Sequence, residues 1–200
     1  MDLHGPAPCN FIATCFLSLM AAGCNEMKLQ LLPSNYTGKL NTQIDVAFGQ
    51  VLEVQGPRDG VAVMDGTDEF WGFKVKDVAT LILGGFTIAH MRAPQMEVKP
   101  GNFIRAGGAV QLNGVATSFR ASDMIFFANR AGQGTQSGGF GGAAAAMSTT
   151  NPLVELSRCL FEANVAEGSA GWQGPGGNGG AFAGIGLRHK HVPRLTVDVC

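Results

Sequence analysis

Two histidines near the C-terminus have a spacing that could hold a metal ion. His189 and His191 are two residues apart, so on an extended strand both imidazoles would point to the same side. Neutral imidazole is a good zinc ligand, but a third ligand is not evident, because the nearest carboxylate is Asp198 and Cys200 is terminal. We therefore favour a polar strand end over a metal site, and no cofactor is predicted.

A short acidic segment, DGTDE, offers oxygen ligands at Asp65, Asp68 and Glu69. Calcium binds in oxygen-rich loops, but this segment lacks the spacing of a complete EF-hand loop. Asp-Gly sequences are typical of turns, because aspartate caps the backbone and glycine accepts positive φ. The segment predicts ordinary turn capping, and Asp65 and Asp68 are retained as alternative metal ligands.

The cysteines are the remaining candidates for chemistry. Cys159 with a distant His90 or His189 could form a thiol nucleophile pair. The leucine spacing around Cys159 predicts a short helix over residues 151–161, with the thiol on its apolar side, and this favours an inert core cysteine. The five cysteines match neither a zinc motif nor a CxxC pair, so we interpret them as free thiols.

Composition excludes some partners. The chain has 200 residues, enough for one moderate domain, with a net charge of −1 and 14% charged residues. About 25% is usual in a soluble domain, so this chain is expected to hide surface against a partner. No run of Lys and Arg supplies the basic footprint that nucleic-acid binding requires.

The N-terminal residues 1–26 contain an apolar run over residues 11–22. The run is shorter than the about 20 residues of a membrane-spanning helix, so a membrane location is not favoured. LMAAGC resembles a bacterial lipobox ending at Cys24, but the only charge before the run is Asp2, whereas a signal peptide begins with positive charge. A docked arm or a spurious extension is favoured over a signal segment or lipid anchor.

Alternating apolar residues and frequent turn signals predict a β domain over residues 27–130. Short strands at roughly ten-residue spacing favour a small barrel or sandwich, and the lack of helical periodicity between them argues against a parallel βαβ sheet. Residues 131–150 read as a Gly/Ser/Ala linker. Residues 151–200 are expected to hold a short helix, a Gly-rich segment and a closing strand. The expected fold is all-β, with Gly-rich extensions and at most one short helix in the C-terminal third.

Aromatic residues among these strands are candidates for core or interface anchors. The interface candidates are Phe48, Trp71, Phe73, Phe86, Phe103 and Trp172.

Three segments carry a resemblance to a known family: residues 46–51, 65–68 and 71–75, followed by a turn at 98–102. Over about residues 40–115 this pattern resembles the small β-barrel decoration or cement proteins of tailed-phage heads. The resemblance implies a protein that binds capsid subunits as a dimer or trimer and catalyses nothing.

We therefore expect a non-enzymatic virion structural protein, a capsid decoration or minor capsid component. A secreted or lipid-anchored bacterial surface or adhesion protein, located in the cell envelope or outside the cell, is the first alternative. A thiol- or metal-dependent hydrolase is the second.

Overall fold

The computed structural model describes residues 7–9, 11–93, 95–99, 102–132, 137–150, 152–167, 180–185 and 194–198. In chain order, the elements are β1 (Ala7–Cys9), α1 (Ile12–Ala21), β2 (Glu26–Leu31), β3 (Ser34–Thr37), a 3-10 turn (Lys39–Asn41), β4 (Ile44–Val46), β5 (Val51–Gln55), β6 (Ala62–Asp65), β7 (Phe73–Lys76), β8 (Thr80–Gly84), β9 (Thr87–Ala89), β10 (Gln95–Lys99), β11 (Asn102–Ala106), β12 (Val110–Val115), β13 (Ser118–Ser122), β14 (Ile125–Phe127), β15 (Arg130–Ala131), β16 (Ser137–Phe140), β17 (Ala144–Thr150), β18 (Leu153–Ser157), β19 (Leu160–Glu162), β20 (Val165–Ala166), β21 (Phe182–Ile185) and β22 (Arg194–Asp198).

Three parallel sheets are built as the chain coils. Sheet A has the order β1-β2-β5-β8-β13-β18-β22, sheet B has β19-β14-β9-β6-β3, and sheet C has β21-β17-β12-β7-β4. The chain passes from sheet A to sheet B to sheet C and returns to sheet A one coil further along, and each strand of these sheets pairs in parallel with its counterpart in the next coil. The architecture is a parallel β-solenoid.

The prediction of an all-β fold is confirmed in its coarse form, but a small barrel or sandwich is not. Consecutive strands turn a corner instead of reversing, so parallel pairing needs no connecting helix. At one corner the equivalent positions are Gly85, Asp123 and Arg158, with φ of 72°, 55° and 49°, the left-handed conformation that redirects the chain. One coil earlier the same corner holds Gly56, where a Cβ would collide with the carbonyl oxygen of Gly85.

The interior is filled by the side chains that point inward from each strand. Leu52, Leu81, Phe119 and Val154 are paired in register across sheet A and are fully buried. They belong to one apolar core that also includes side chains from sheets B and C. Repeating the same inward position in every coil creates a continuous column of apolar side chains.

The N-terminal segment is part of this fold. Helix α1 buries Ile12 and Phe16 against the first coil, and the Ile12 N–H donates to Asn41 Oδ1 at 3.0 Å. Cys15 is disulfide-bonded, so the prediction of free thiols throughout is wrong; its partner lies outside the residues whose side chains are described. Among the described residues, no helix is long and apolar enough to cross a membrane.

Two expectations for the last third differ from the structure. Residues 153–157, expected to be helical, form strand β18, in which Val154 and Leu156 face inward. Side chains on a strand alternate between its two faces with a period of two residues, so these two apolar residues share the buried face. The tract expected to be a linker contributes β16 and β17. Its alanines pack closely: Ala145 joins Ala106, Phe140 and Ala183 in an apolar cluster where the small sheet β10-β11-β16 lies over sheet C.

Candidate functional site

Asp65 and Asp68 lie at the corner that follows sheet B. Asp65 Oδ1 accepts a hydrogen bond from the Thr67 N–H at 2.8 Å, the geometry of a capped turn. Asp65 Oδ2 lies 3.2 Å from His90 Nδ1, and Asp68 lies 3.7 Å from the Arg130 Nε. The two carboxylates therefore face different side chains, His90 and Arg130. In the described part of the chain no group of three His, Cys, Asp or Glu could hold a metal ion.

Four other sequence candidates cannot be placed by their side chains. His189, His191 and Trp172 lie outside the described residues, and Phe103 lies on β11, whose side chain is not described. Phe73 and Phe86 are buried and fill the interior. Phe73 points inward from β7, as the alternation of strand faces requires.

The two remaining aromatic candidates reach the surface. Phe48 is 78% exposed. Trp71 is half-buried, and Lys74 Nζ stands 5.1 Å from the centre of its ring, within reach of a cation–π interaction. Burial lowers the pKa of Lys74.

Cys159 is held as a thiol. Its Sγ lies 3.3 Å from the Ser157 carbonyl oxygen and 3.5 Å from that of Ala121, and burial raises the pKa of the thiol. The thiolate is the nucleophilic form, so this environment suppresses reactivity. His90, the proposed base, is oriented by Asp65 and by an edge contact with Phe127.

This environment predicts slow alkylation of Cys159 in the native protein. Because the native pKa is raised, the thiolate fraction at mildly alkaline pH is lower than in the unfolded chain, and the difference should shrink as pH rises through the native pKa. Iodoacetamide labelling read by peptide mass spectrometry, with the urea-unfolded chain as control, checks this. Equal native and unfolded rates at each pH would contradict it.

Two asparagines one coil apart form a polar stack inside the corner between sheets B and C. Asn129 Oδ1 accepts from the Met91 N–H at 3.0 Å, and Asn129 Nδ2 donates to the Ile88 carbonyl oxygen at 3.0 Å and to Asn164 Oδ1 at 2.9 Å. Asn129 is fully buried. Because every bond goes to backbone or to the next amide of the stack, this feature serves the fold and offers no ligand site.

The outer face of sheet B carries an apolar row, defined by Val63, Thr87, Ile125 and Leu160. These residues are paired from coil to coil, and Ile125 and Leu160 are 40% and 51% exposed. Exposed apolar side chains that lie next to one another on a surface mark interaction sites more often than scattered ones do. Sequence reasoning missed this row because the residues are 24 to 38 positions apart and meet only through the sheet register.

The outer face of sheet A carries a charge row, one residue from each of five consecutive coils. Its members in coil order are Lys28, Glu53, Ile82, Arg120 and Glu155. Lys28 Nζ lies 3.0 Å from Glu53 Oε2, and Arg120 Nε lies 2.8 Å from Glu155 Oε2.

Beside the charge row runs a glutamine–serine row, defined by Gln30, Gln55, Gly84, Ser122 and Ser157. The half that holds the serines is recessed. It contains an open depression of about 450 Å³, lined in part by Ile82, Arg120, Ser122, Glu155 and Ser157.

Comparison of the chain with protein-family models, with curated proteins and with solved structures gives no match. The function is therefore argued from the surfaces that the solenoid presents.

Proposed function

We propose that this chain is a non-enzymatic structural protein of a virion, a head decoration or minor capsid component, which binds capsid subunits through the apolar row. The observation that supports this most directly is the pairing of Ile125 with Leu160, two large apolar side chains left exposed on adjacent coils. Covering them with a partner removes apolar surface from water, which favours association.

The rigidity of the surface also favours binding. The row lies on a strand face, where backbone pairing to the neighbouring coils holds each residue, so little conformational entropy is lost when a partner docks. A low content of charged residues, 14%, is consistent with a chain that places much of its surface against neighbours.

The test is co-sedimentation of the protein with capsids. We expect wild-type protein in purified particles and expect Leu160→Glu to bind at least about tenfold more weakly, because a charge would be buried without a partner at the interface. Leu160 is exposed, so the variant should keep its unfolding midpoint.

Val115→Glu is the matched control, since Val115 is 54% exposed but lies on sheet C, outside the apolar row. It should bind capsids as the wild type does. Absence of the wild-type protein from purified particles, or full binding by Leu160→Glu, would reject the proposal.

A second function is supported by a different observation. The disulfide at Cys15 is typical of proteins in oxidising compartments, which favours a secreted or envelope-bound bacterial surface protein. Lipid modification at Cys24 would require cleavage after Gly23 and would remove α1, exposing core residues of the first coil that Ile12 and Phe16 now cover.

The two functions differ in the native N-terminus and in location. Mass spectrometry of native protein distinguishes a chain that retains α1 from one that begins with a lipidated Cys24. Recovery of either form in the cell envelope or outside the cell would favour the surface protein, and recovery of the chain with α1 in particles would favour the virion protein.

A further inference from the structure

The charges along the charge row are ordered so that the row is complementary to its own reversed copy. From the first coil to the fifth, the row is positive, negative, apolar, positive, negative. Read backwards it is negative, positive, apolar, negative, positive. An inverted copy of the row therefore opposes each charge with its opposite, and Ile82 with itself.

We propose that two copies of this chain associate face to face through sheet A, with their solenoid axes antiparallel and a two-fold axis at Ile82. Lys28 then faces Glu155 of the second copy, and Glu53 faces Arg120 of the second copy. The symmetry repeats both contacts, so four ion pairs cross the interface. A two-fold interface of this kind must be self-complementary, and the charge row meets that condition.

The same two-fold rotation also makes the neighbouring glutamine–serine row complementary to its copy in side-chain size. Its long side chains lie in the first two coils and its short ones in the last two, with Gly84 between them. The inversion places Gln30 opposite Ser157 and Gln55 opposite Ser122. The depression at the serine end thus faces the glutamine end of the second copy, and at the axis the Gln55 amide of each chain lies over its own Gly84.

The charged side chains of the row are exposed enough to contact a partner. The side chains of Lys28 and Arg120 are 70% and 51% exposed, so each already has one neighbour of opposite charge in its own chain and keeps a solvent-facing side. Docking gives each a second such neighbour. Exposed ion pairs contribute little singly, but their order along the row favours the antiparallel arrangement over the unshifted parallel one, in which each charge would meet its like.

The dimensions of the face indicate a weak dimer. The seven strands of sheet A span about 29 Å along the solenoid axis, and a five-residue strand spans about 17 Å. Docking would bury about 1,000 Å² over the two copies, which is at the small end of specific interfaces. We therefore expect association at micromolar or higher protein concentration, weakened by salt because screening lengths fall from about 10 Å at 0.1 M to about 3 Å at 1 M.

Ile82 is the sharpest site for a test, because it is the one row position that meets its own copy. In sedimentation equilibrium of the full chain, wild-type protein should dimerise at low salt and dissociate at high salt. Ile82→Glu alone and Ile82→Lys alone should each dimerise at least about tenfold more weakly, since like charges face each other at the axis. An equimolar mixture of the two should recover association, because Glu then faces Lys.

The matched control is the pair Val115→Glu and Val115→Lys, which should dimerise as the wild type does, alone and mixed. A monomeric wild type at millimolar concentration, undiminished association of Ile82→Glu, or a mixture no tighter than its components would each overturn the proposal. Thermal unfolding of the variants confirms that they are folded.

Zero-length carbodiimide cross-linking tests the orientation. Lys28 and Glu155 of one chain are four coils apart, about 19 Å, too far to be joined within a chain. In a mixture of isotope-labelled and unlabelled protein we expect a Lys28–Glu155 link between chains. A dimer band without this link would reject the antiparallel arrangement.

The inference does not rest on the proposed function, because the charge row and the apolar row lie on different sheets. Leu160→Glu should leave the dimerisation constant unchanged, and a protein absent from virions could still form this dimer. Loss of dimerisation in Leu160→Glu would show that the contact lies on sheet B and would overturn the sheet A interface.

Discussion

Replacing Phe126 with alanine is expected to lower the free energy of unfolding by about 3 to 5 kcal/mol, the range of buried Phe→Ala substitutions. Phe126 is fully buried, stacks on Phe161 with ring centres 4.8 Å apart, and meets Phe119 edge to face at 6.4 Å. The cavity would lie between consecutive coils whose backbones are paired, so collapse around it is restricted.

Urea unfolding followed by circular dichroism measures this loss. Phe48→Ala is the matched control, because Phe48 is 78% exposed and its truncation should change the free energy of unfolding by no more than about 0.5 kcal/mol. A similar shift of the unfolding midpoint in both variants would contradict the placement of Phe126 in the core.

Replacing Asn129 with alanine is expected to lower the free energy of unfolding by about 2 to 4 kcal/mol. The variant leaves the buried Met91 N–H without its acceptor and removes a donor from the Ile88 carbonyl and from Asn164 Oδ1. A buried polar group that loses its partner costs about 1 to 3 kcal/mol, and at least one such group is created here.

The same unfolding measurement checks the asparagine stack, with Asn35→Ala as control. Asn35 lies exposed on sheet B, so its loss should have a small effect. If the two alanine variants unfold at the same urea concentration, the hydrogen bonds of Asn129 do not stabilise the native state.

Individual strands were predictable, but their pairing was not. The sequence predicts strands near β5, β6 and β8 because apolar residues alternate there, and the structure places strands at Val51–Gln55, Ala62–Asp65 and Thr80–Gly84. The turn signals between them do not distinguish a corner from a hairpin, since glycine and aspartate serve both. The turn signals therefore fit the small barrel or sandwich that the sequence favours as well as they fit the observed parallel sheets.

The repeat was hidden by unequal coils. Residues at equivalent positions of sheet A, such as Glu26, Val51 and Thr80, are 25 and 29 positions apart, whereas Thr80 and Ser118 are 38 apart. The longer coil carries the excursion that forms β10 and β11. Without a fixed period, neither the solenoid nor the coil-to-coil neighbours of a residue can be derived from spacing.

For the same reason, the two candidate surfaces could not be predicted. Asp65 was correctly singled out as a turn residue, but its neighbour His90 lies 25 positions away and becomes adjacent only through strand register. The charge row and the apolar row are properties of five and four coils together. Aromatic residues, by contrast, are conspicuous in a sequence, and two of those singled out, Phe73 and Phe86, lie in the core.

The order of α1 and the coils along the chain bears on how the protein is made. Helix α1 and strand β2, which touch, precede the later coils along the chain, and each later coil pairs with the one already completed. Such a polypeptide can acquire structure progressively during translation, with each finished layer serving as a template for the next. Slow synthesis should therefore raise the yield of native protein relative to refolding of the full-length chain from denaturant.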